Sequence, residues 1–211
     1  MSTTRIVALS AGLSKPSSSR MLADALAEAT RVSLAAGNTV SETVVHDLRD
    51  HASDIMTALL TGFPSPALRT VREDMENAAG VILVTPIYTA GISGLMKSFL
   101  DGLDTKAFQD MPVLIGATGG TARHSLAMDY AIRPVLSYLR MDVLSTAVFA
   151  ASEDWGGAGD DVRPLSARID RAGAELAAAV ERSGRQAAAD PLALDQDFAS
   201  MLGALGGTSA P

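Results

Sequence analysis

Four consecutive apolar residues, Val81, Ile82, Leu83 and Val84, followed at once by Thr85-Pro86, constrain this chain more than any other feature. A strand with one face in water alternates apolar and polar residues. An unbroken apolar run instead suits a strand covered by helices on both faces, as in parallel sheets. Proline cannot donate to a ladder and pushes the residue before it toward extended geometry, so the strand stops at Thr85-Pro86. A loop follows, and from Gly94 onward Leu95, Met96, Phe99, Leu100 and Leu103 recur at helical spacing behind Ser93 as N-cap. Strand, exposed loop and helix make one βα unit, and in open α/β sheets such carboxyl-end loops form the ligand crevice.

The same unit recurs along the chain. Residues 6–9, 40–45, 81–85, 113–117 and 143–149 read as strands, each followed by a helix. The second strand is broken by Ser41, Glu42 and Thr43 and reads as a sheet edge. Five βα units with ligand loops after strands 1, 3 and 4 imply a three-layer sandwich with a five-stranded parallel sheet in the flavodoxin-like order 2-1-3-4-5. Leu22, Ala25, Leu26, Ala29 and Val32 form the buried stripe of the first helix, and Leu68, Val71, Met75 and Ala78 that of a helix opened by Ser65-Pro66. Residues 47–64 read as irregular, with a short helical stretch from Ile55 to Leu60. Leu126, Tyr130, Val135, Leu136 and Leu139 are expected inward on a helix that Pro134 kinks or bulges near Tyr130. Leu165, Ile169, Ala172, Leu176 and Val180 mark the last helix. One domain over residues 1–184 is expected, with a weakly ordered tail over 185–211.

Composition excludes several function classes. The chain has no cysteine, so a disulfide framework, a thiolate nucleophile and a cysteine-ligated iron–sulfur cluster are ruled out, and any redox chemistry belongs to a cofactor. None of its three histidines stands at metal-ligand spacing; His46 and His51 read as surface residues, and no metal site is expected. A net charge of −7 opposes nucleic-acid binding. With no long apolar run and a start that enters a strand directly, no membrane association is expected, and the cytoplasm is the expected location.

Two loops carry candidate chemistry. Ser17, Ser18 and Ser19 open the first helix, with Lys15 and Arg20 beside them. Free backbone N–H groups, the helix dipole and hydroxyls there make an anion site; the alternative is one capping serine and two solvated ones. Neither Gly-x-Gly-x-x-Gly nor Gly-x-x-x-x-Gly-Lys-(Ser/Thr) is present, which argues against a dinucleotide fold and an NTPase. After the fourth strand, Thr118-Gly119-Gly120 allows backbone to approach a planar ligand, or forms a tight βα turn.

Thr85-Pro86-Ile87-Tyr88, with Ser93-Gly94-Leu95-Met96-Lys97 and Phe99-Leu100-Asp101, resembles the signature of NAD(P)H-dependent FMN reductases, which have a flavodoxin-like fold. Residues 117–136, Ala-Thr-Gly-Gly-Thr-Ala-Arg-His-Ser-Leu-Ala-Met-Asp-Tyr-Ala-Ile-Arg-Pro-Val-Leu, are similar to the long run of the reductases that partner alkanesulfonate-type monooxygenases. The resemblance spans about residues 5–150, and the acidic, Gly-rich connector from Ser152 to Asp161 departs from it.

The resemblance implies that FMN is held by Ser10, Ser17, Ser18 and Ser19 at its phosphate end. Its ring would lie along Thr85, Pro86, Ile87 and Tyr88 and along Thr118, Gly119 and Gly120. Arg123 and His124 are cationic candidates for flavin O2 or a nucleotide phosphate, and equally read as surface residues near a helix start. Hydride passes from NAD(P)H to the flavin, chemistry that needs alignment and no protein acid or base, so no catalytic residue is assigned. A homo-oligomer, dimer or tetramer, and a flavin-dependent monooxygenase partner are expected from the same resemblance. An FMN-retaining quinone or azo-compound reductase and a flavodoxin-like electron carrier remain as alternatives.

Overall fold

A computed structural model describes residues 3–155 and 164–184. The tail expected over 185–211 lies outside the described residues, as does most of the Ser152–Asp161 connector.

The chain alternates strand and helix. β1 (Thr4–Ser10) leads to α1 (Ser18–Ala36), and β2 (Ser41–Asp47) to a 3₁₀ turn (Leu48–His51), α2 (Ala52–Thr61) and α3 (Pro66–Glu76). β3 (Gly80–Tyr88) is followed by β4 (Gly91–Ile92) and α4 (Gly94–Asp101). β5 (Pro112–Gly119) runs into a 3₁₀ turn (Ala122–His124), a π-helical turn (Met128–Ile132) and α5 (Arg133–Tyr138). β6 (Asp142–Ala151), α6 (Ser152–Trp155) and α7 (Leu165–Ser183) complete the described chain.

The sheet order is β2-β1-β3-β5-β6, with every neighbouring pair parallel. The sheet has six strands rather than the expected five, because β4 pairs antiparallel with the end of β3. Thr89 and Ala90, at φ 49° and 61°, form the two-residue turn between them. Such a hairpin turn requires φ > 0 at both central residues and normally announces itself as Asn-Gly. Thr-Ala gives no such signal.

Period-2 alternation in the strands divides the core in two. Val7, Leu9, Val81 and Leu83 face the layer of α2 to α5. Ile6, Ala8, Ile82 and Val84 face α1 and α7. The caps follow sequence chemistry: the Ser17, Ser65 and Ser93 hydroxyls accept from Arg20 N, Leu68 N and Met96 N.

Several local expectations are corrected. Leu126 and Tyr130 point outward, because the 3₁₀ and π turns shift the register so that Met128 and Ile132 take the buried positions. The π turn lies immediately before Pro134, where an irregularity was expected. Residues 48–61 are helical almost throughout, since buried Leu48, Ile55 and Ala58 anchor them to the core. Val32 is exposed, and Thr30 and Leu34 are buried on α1 instead. His46 is half-buried and pairs with Asp74 on α3 at 2.9 Å, so it ties the edge strand to that helix. Among the described residues no helix is long and apolar enough to cross a membrane.

Candidate active site

The carboxyl ends of β1, β3, β5 and β6 open on one cleft of about 320 Å³. One end of it is the β1–α1 loop. Ala11 N donates to Val84 O at 2.9 Å, which carries the chain across the top of β3 before it turns into α1. Gly12 allows that turn: a Cβ there would overlap Ser17 Oγ.

The three serines do three different things. Ser17 is extended and caps α1, accepting from Arg20 N at 3.2 Å. Ser18 is exposed at the cleft wall. Ser19 is buried and its hydroxyl lies 2.8 Å from that of buried Thr118, so it fastens the start of α1 to the end of β5. The first N–H groups of a helix have no intrahelical acceptor, so Ser18 and Ser19 present theirs at this end of the cleft.

Pro86, Ile87 and Tyr88 line the cleft at the end of β3, and Thr118, Gly119 and Gly120 line it beside them at the end of β5, with Pro86 and Thr118 in register. Thr85 lies beneath, fully buried. Its hydroxyl accepts from Ser93 N at 3.1 Å and donates to Pro86 O at 3.0 Å, which holds the β3 end and the start of α4 together. Ser10 is also buried under the cleft, with its hydroxyl 3.4 Å from Gly12 N. Arg123 and His124 do not line the cleft; they sit exposed on the 3₁₀ turn that leaves it.

Sequence reasoning missed Gly12, Leu13, Ser14, Ala150, Ser152 and Trp155, all of which line the cleft. The last three come from the end of β6 and α6, where the only local signal was strand 5 reaching the same edge as strand 4. Asp154 accepts from Ala151 N at 2.8 Å and pairs with Arg168 of α7, which places Trp155, the chain's single tryptophan, at the cleft.

Electrostatics correct a further expectation. Arg20 does not turn toward an anion: it pairs with Asp24 at 2.8 Å and with Asp47 at 2.9 Å. The Asp24 hydrogen bond foremost raises its pKa against the opposing effect of burial, and Asp47 adds to it. At the β1–α1 end the cleft is lined by the Ser17 and Ser18 side chains and by the start of α1, whose first N–H groups have no intrahelical acceptor.

A profile of the NADPH-dependent FMN reductase family matches residues 4–156, a span that takes in every wall of this cleft. The chain belongs to that family. It is 34% identical to an FMN reductase (NADPH) of Pseudomonas aeruginosa over 82% of this chain and 90% of that one. It is 33% identical to the NADH-dependent FMN reductase SfnF of Pseudomonas fluorescens over the same shares. Among solved structures, an oxidoreductase from Corynebacterium diphtheriae superposes with a TM-score of 0.81 at 39% identity, covering 86% of this chain and 99% of that one. The flavodoxin-like α/β fold of this FMN reductase family member follows from both its topology and that likeness.

Proposed function

We propose that FMN lies in this cleft with its phosphate over the start of α1 and its ring against the loops at the ends of β3 and β5. The chain is an NAD(P)H-dependent FMN reductase, as its family is. The observation that carries the residue assignment is the convergence of three loops with different chemistry on one cleft. Ser17, Ser18 and the N–H groups of the α1 start hold the phosphate, while Ser19 and Thr118 lock that start onto β5. Ser10 and Thr85 support the loops from below. Pro86, Ile87 and Tyr88 at the end of β3 and Thr118, Gly119 and Gly120 at the end of β5 supply the surface along which the planar ring lies. Arg123 and His124, exposed on the 3₁₀ turn that follows β5, meet the anionic part of the nicotinamide nucleotide in this reading. Bound FMN supplies the hydride acceptor, so the protein's part is alignment and exclusion of competing geometry.

Ser18, Tyr88 and Gly120 are exposed cleft residues, so the site is open at one side. Such a site binds with a Kd near ~1 μM, about −8 kcal/mol, and exchanges flavin at about 1 s⁻¹ for a typical association rate. Reduced FMN is then a product delivered to a flavin-dependent monooxygenase. The working unit is a homo-oligomer, dimer or tetramer, built on the exposed apolar residues of the α4 and α5 side, Tyr130 among them. The compartment is the cytoplasm.

Anaerobic mixing with FMN and either NADPH or NADH tests this directly. Flavin bleaching is expected, FMN is expected to leave on dialysis, and a trapping monooxygenase is expected to receive reduced flavin. Retention of stoichiometric FMN with reduction of a quinone and no transfer would replace this reading by a quinone reductase.

A further inference from the structure

The loop at the phosphate end has little of its own to hold it. Leu13 and Ser14 are exposed and line the cleft. What fixes them comes from a segment that carries no motif, the turn after β2. Arg49 donates from Nη1 to the carbonyl of Ser14 at 2.8 Å and reaches that of Leu13 at 3.5 Å. Its side chain is only 20% exposed, and its Nε lies 3.6 Å from Asp50. Two residues earlier Asp47, at the end of β2, takes Arg20 at the start of α1. The carboxyl end of the edge strand thus reaches the β1–α1 loop from behind at two points.

A trans peptide sets its C=O and the following N–H in opposite directions. Drawing the Leu13 and Ser14 carbonyls toward Arg49 therefore turns the N–H groups of Ser14 and Lys15 away from Arg49, and Leu13 and Ser14 line the cleft whereas Arg49 does not. Both contacts come from the one nitrogen Nη1, whose N–H directions are fixed by the plane of the guanidinium, while Nε faces Asp50.

We propose that Arg49 is a positioning residue for phosphate recognition: it holds the Leu13 and Ser14 carbonyls so that the loop's N–H groups face the FMN phosphate. The proposal rests on the FMN reading above. It concerns the phosphate alone, since Arg49 holds the β1–α1 loop and not the loops at the ends of β3 and β5.

The test compares FMN with riboflavin, which lacks the phosphate, by quenching of Trp155 emission in the full-length protein. Wild type, Arg49→Met and Arg49→Lys are titrated with both flavins, and thermal unfolding is recorded for each. Wild type should prefer FMN. Arg49→Met should weaken FMN by about tenfold, as expected when charge-assisted hydrogen bonds that shape a site are lost, and leave riboflavin unchanged. Arg49→Lys should recover part of the preference, because it keeps a charged donor but carries it on a shorter, more mobile stem without the fixed N–H directions.

An Arg49→Met protein with the wild-type ratio of the two affinities, or with both flavins weakened equally, overturns the inference while the FMN reading stands. If Arg49→Met does not fold, the same ratio in Arg49→Lys decides in the same way. A wild-type protein that does not discriminate between the flavins removes the phosphate assignment itself, and the inference falls with it.

Discussion

Against one face of the sheet lie α1 and α7, two helices of 19 residues each, in contact with one another; over the other lie α2 to α5, none longer than 11 residues and two of them separated by 3₁₀ and π turns. The long pair meets through small residues. Gly173 sits against Ala29, where a Cβ would come within 2.7 Å of the α1 backbone. The short set leaves large apolar side chains in solvent: Phe63 and Tyr130 are each 80% exposed and Tyr138 is 79% exposed. Close backbone approach leaves one layer no room to vary. Broken helices leave the other with surface that its own core does not use. The difference is one of packing: one pair of helices closes on itself through small residues, and the other layer carries the largest exposed aromatic side chains outside its core.

The largest expected effect tests the first half of that contrast. Gly173→Val forces two branches into a space already closed by Ala29 and Thr30, and overpacking a well-filled site costs about 3 kcal/mol. At this chain length that lowers the unfolding midpoint by about 10 °C. In the other layer Gly94, at the start of α4, has nothing within 4 Å of the point where a Cβ would stand, so Gly94→Ala should be neutral or stabilising by under ~1 kcal/mol. Equal losses from the two substitutions, read by thermal unfolding, would break the comparison.

That asymmetry also governs what the sequence could disclose. The stripes of α1, α3 and α7 were legible because regular helices with serine or proline starts keep their period, and the strands were legible because burial on both faces removes alternation. On the irregular side the period fails. Leu126 and Tyr130 look inward on a 3.6-residue wheel and point outward once a π turn intervenes. β4 was hidden because its turn is Thr-Ala. In the cleft, the loops after β1, β3 and β5 announced themselves through local chemistry, whereas Trp155 and the hold of Arg49 on the first loop depend on tertiary contacts, the Asp154–Arg168 pair and the donation to the Leu13 and Ser14 carbonyls. No short-range pattern encodes those contacts.

The second half of the contrast is sharpened at Tyr130. If the exposed side chains of the broken layer join protomers, Tyr130→Asp should weaken association by at least tenfold, about 1.4 kcal/mol, and shift the mass in light scattering toward the monomer. Because Tyr130 is exposed, the unfolding midpoint extrapolated to low protein concentration should barely move. An unchanged mass with a lowered midpoint would mean that Tyr130 serves the fold rather than assembly.

The smallest effect concerns β6, an outer strand that both layers grip through side-chain hydrogen bonds. β6 is a sheet edge, and its pairing with β5 shifts register between Val113 and Ile115. Edge strands need their free backbone groups covered. Arg133, from the α5 side, donates to Leu144 O at 2.8 Å and to Ser145 O at 3.4 Å. Glu175, from α7, accepts from Ser145 Oγ at 2.9 Å and from Thr146 N at 3.2 Å. Burial opposes ionisation of Glu175, but the hydrogen bonds from Thr146 and Ser145 outweigh it and leave its pKa lowered. A carboxylate with a depressed folded-state pKa stabilises the fold above its unfolded value of about 4.3, and that contribution is lost as pH falls through the folded value. Glu175→Gln keeps an acceptor and removes the charge, so only the charge-assisted part is lost. After discounting for solvent screening that is about 0.5 kcal/mol at pH 7. The gap between Glu175→Gln and wild type in urea unfolding should therefore be present at pH 7 and close toward pH ~3, below the ordinary carboxylate range. A gap of the same size at both pH values would assign the effect to packing of α7 on β6 and not to the carboxylate's hold on the edge.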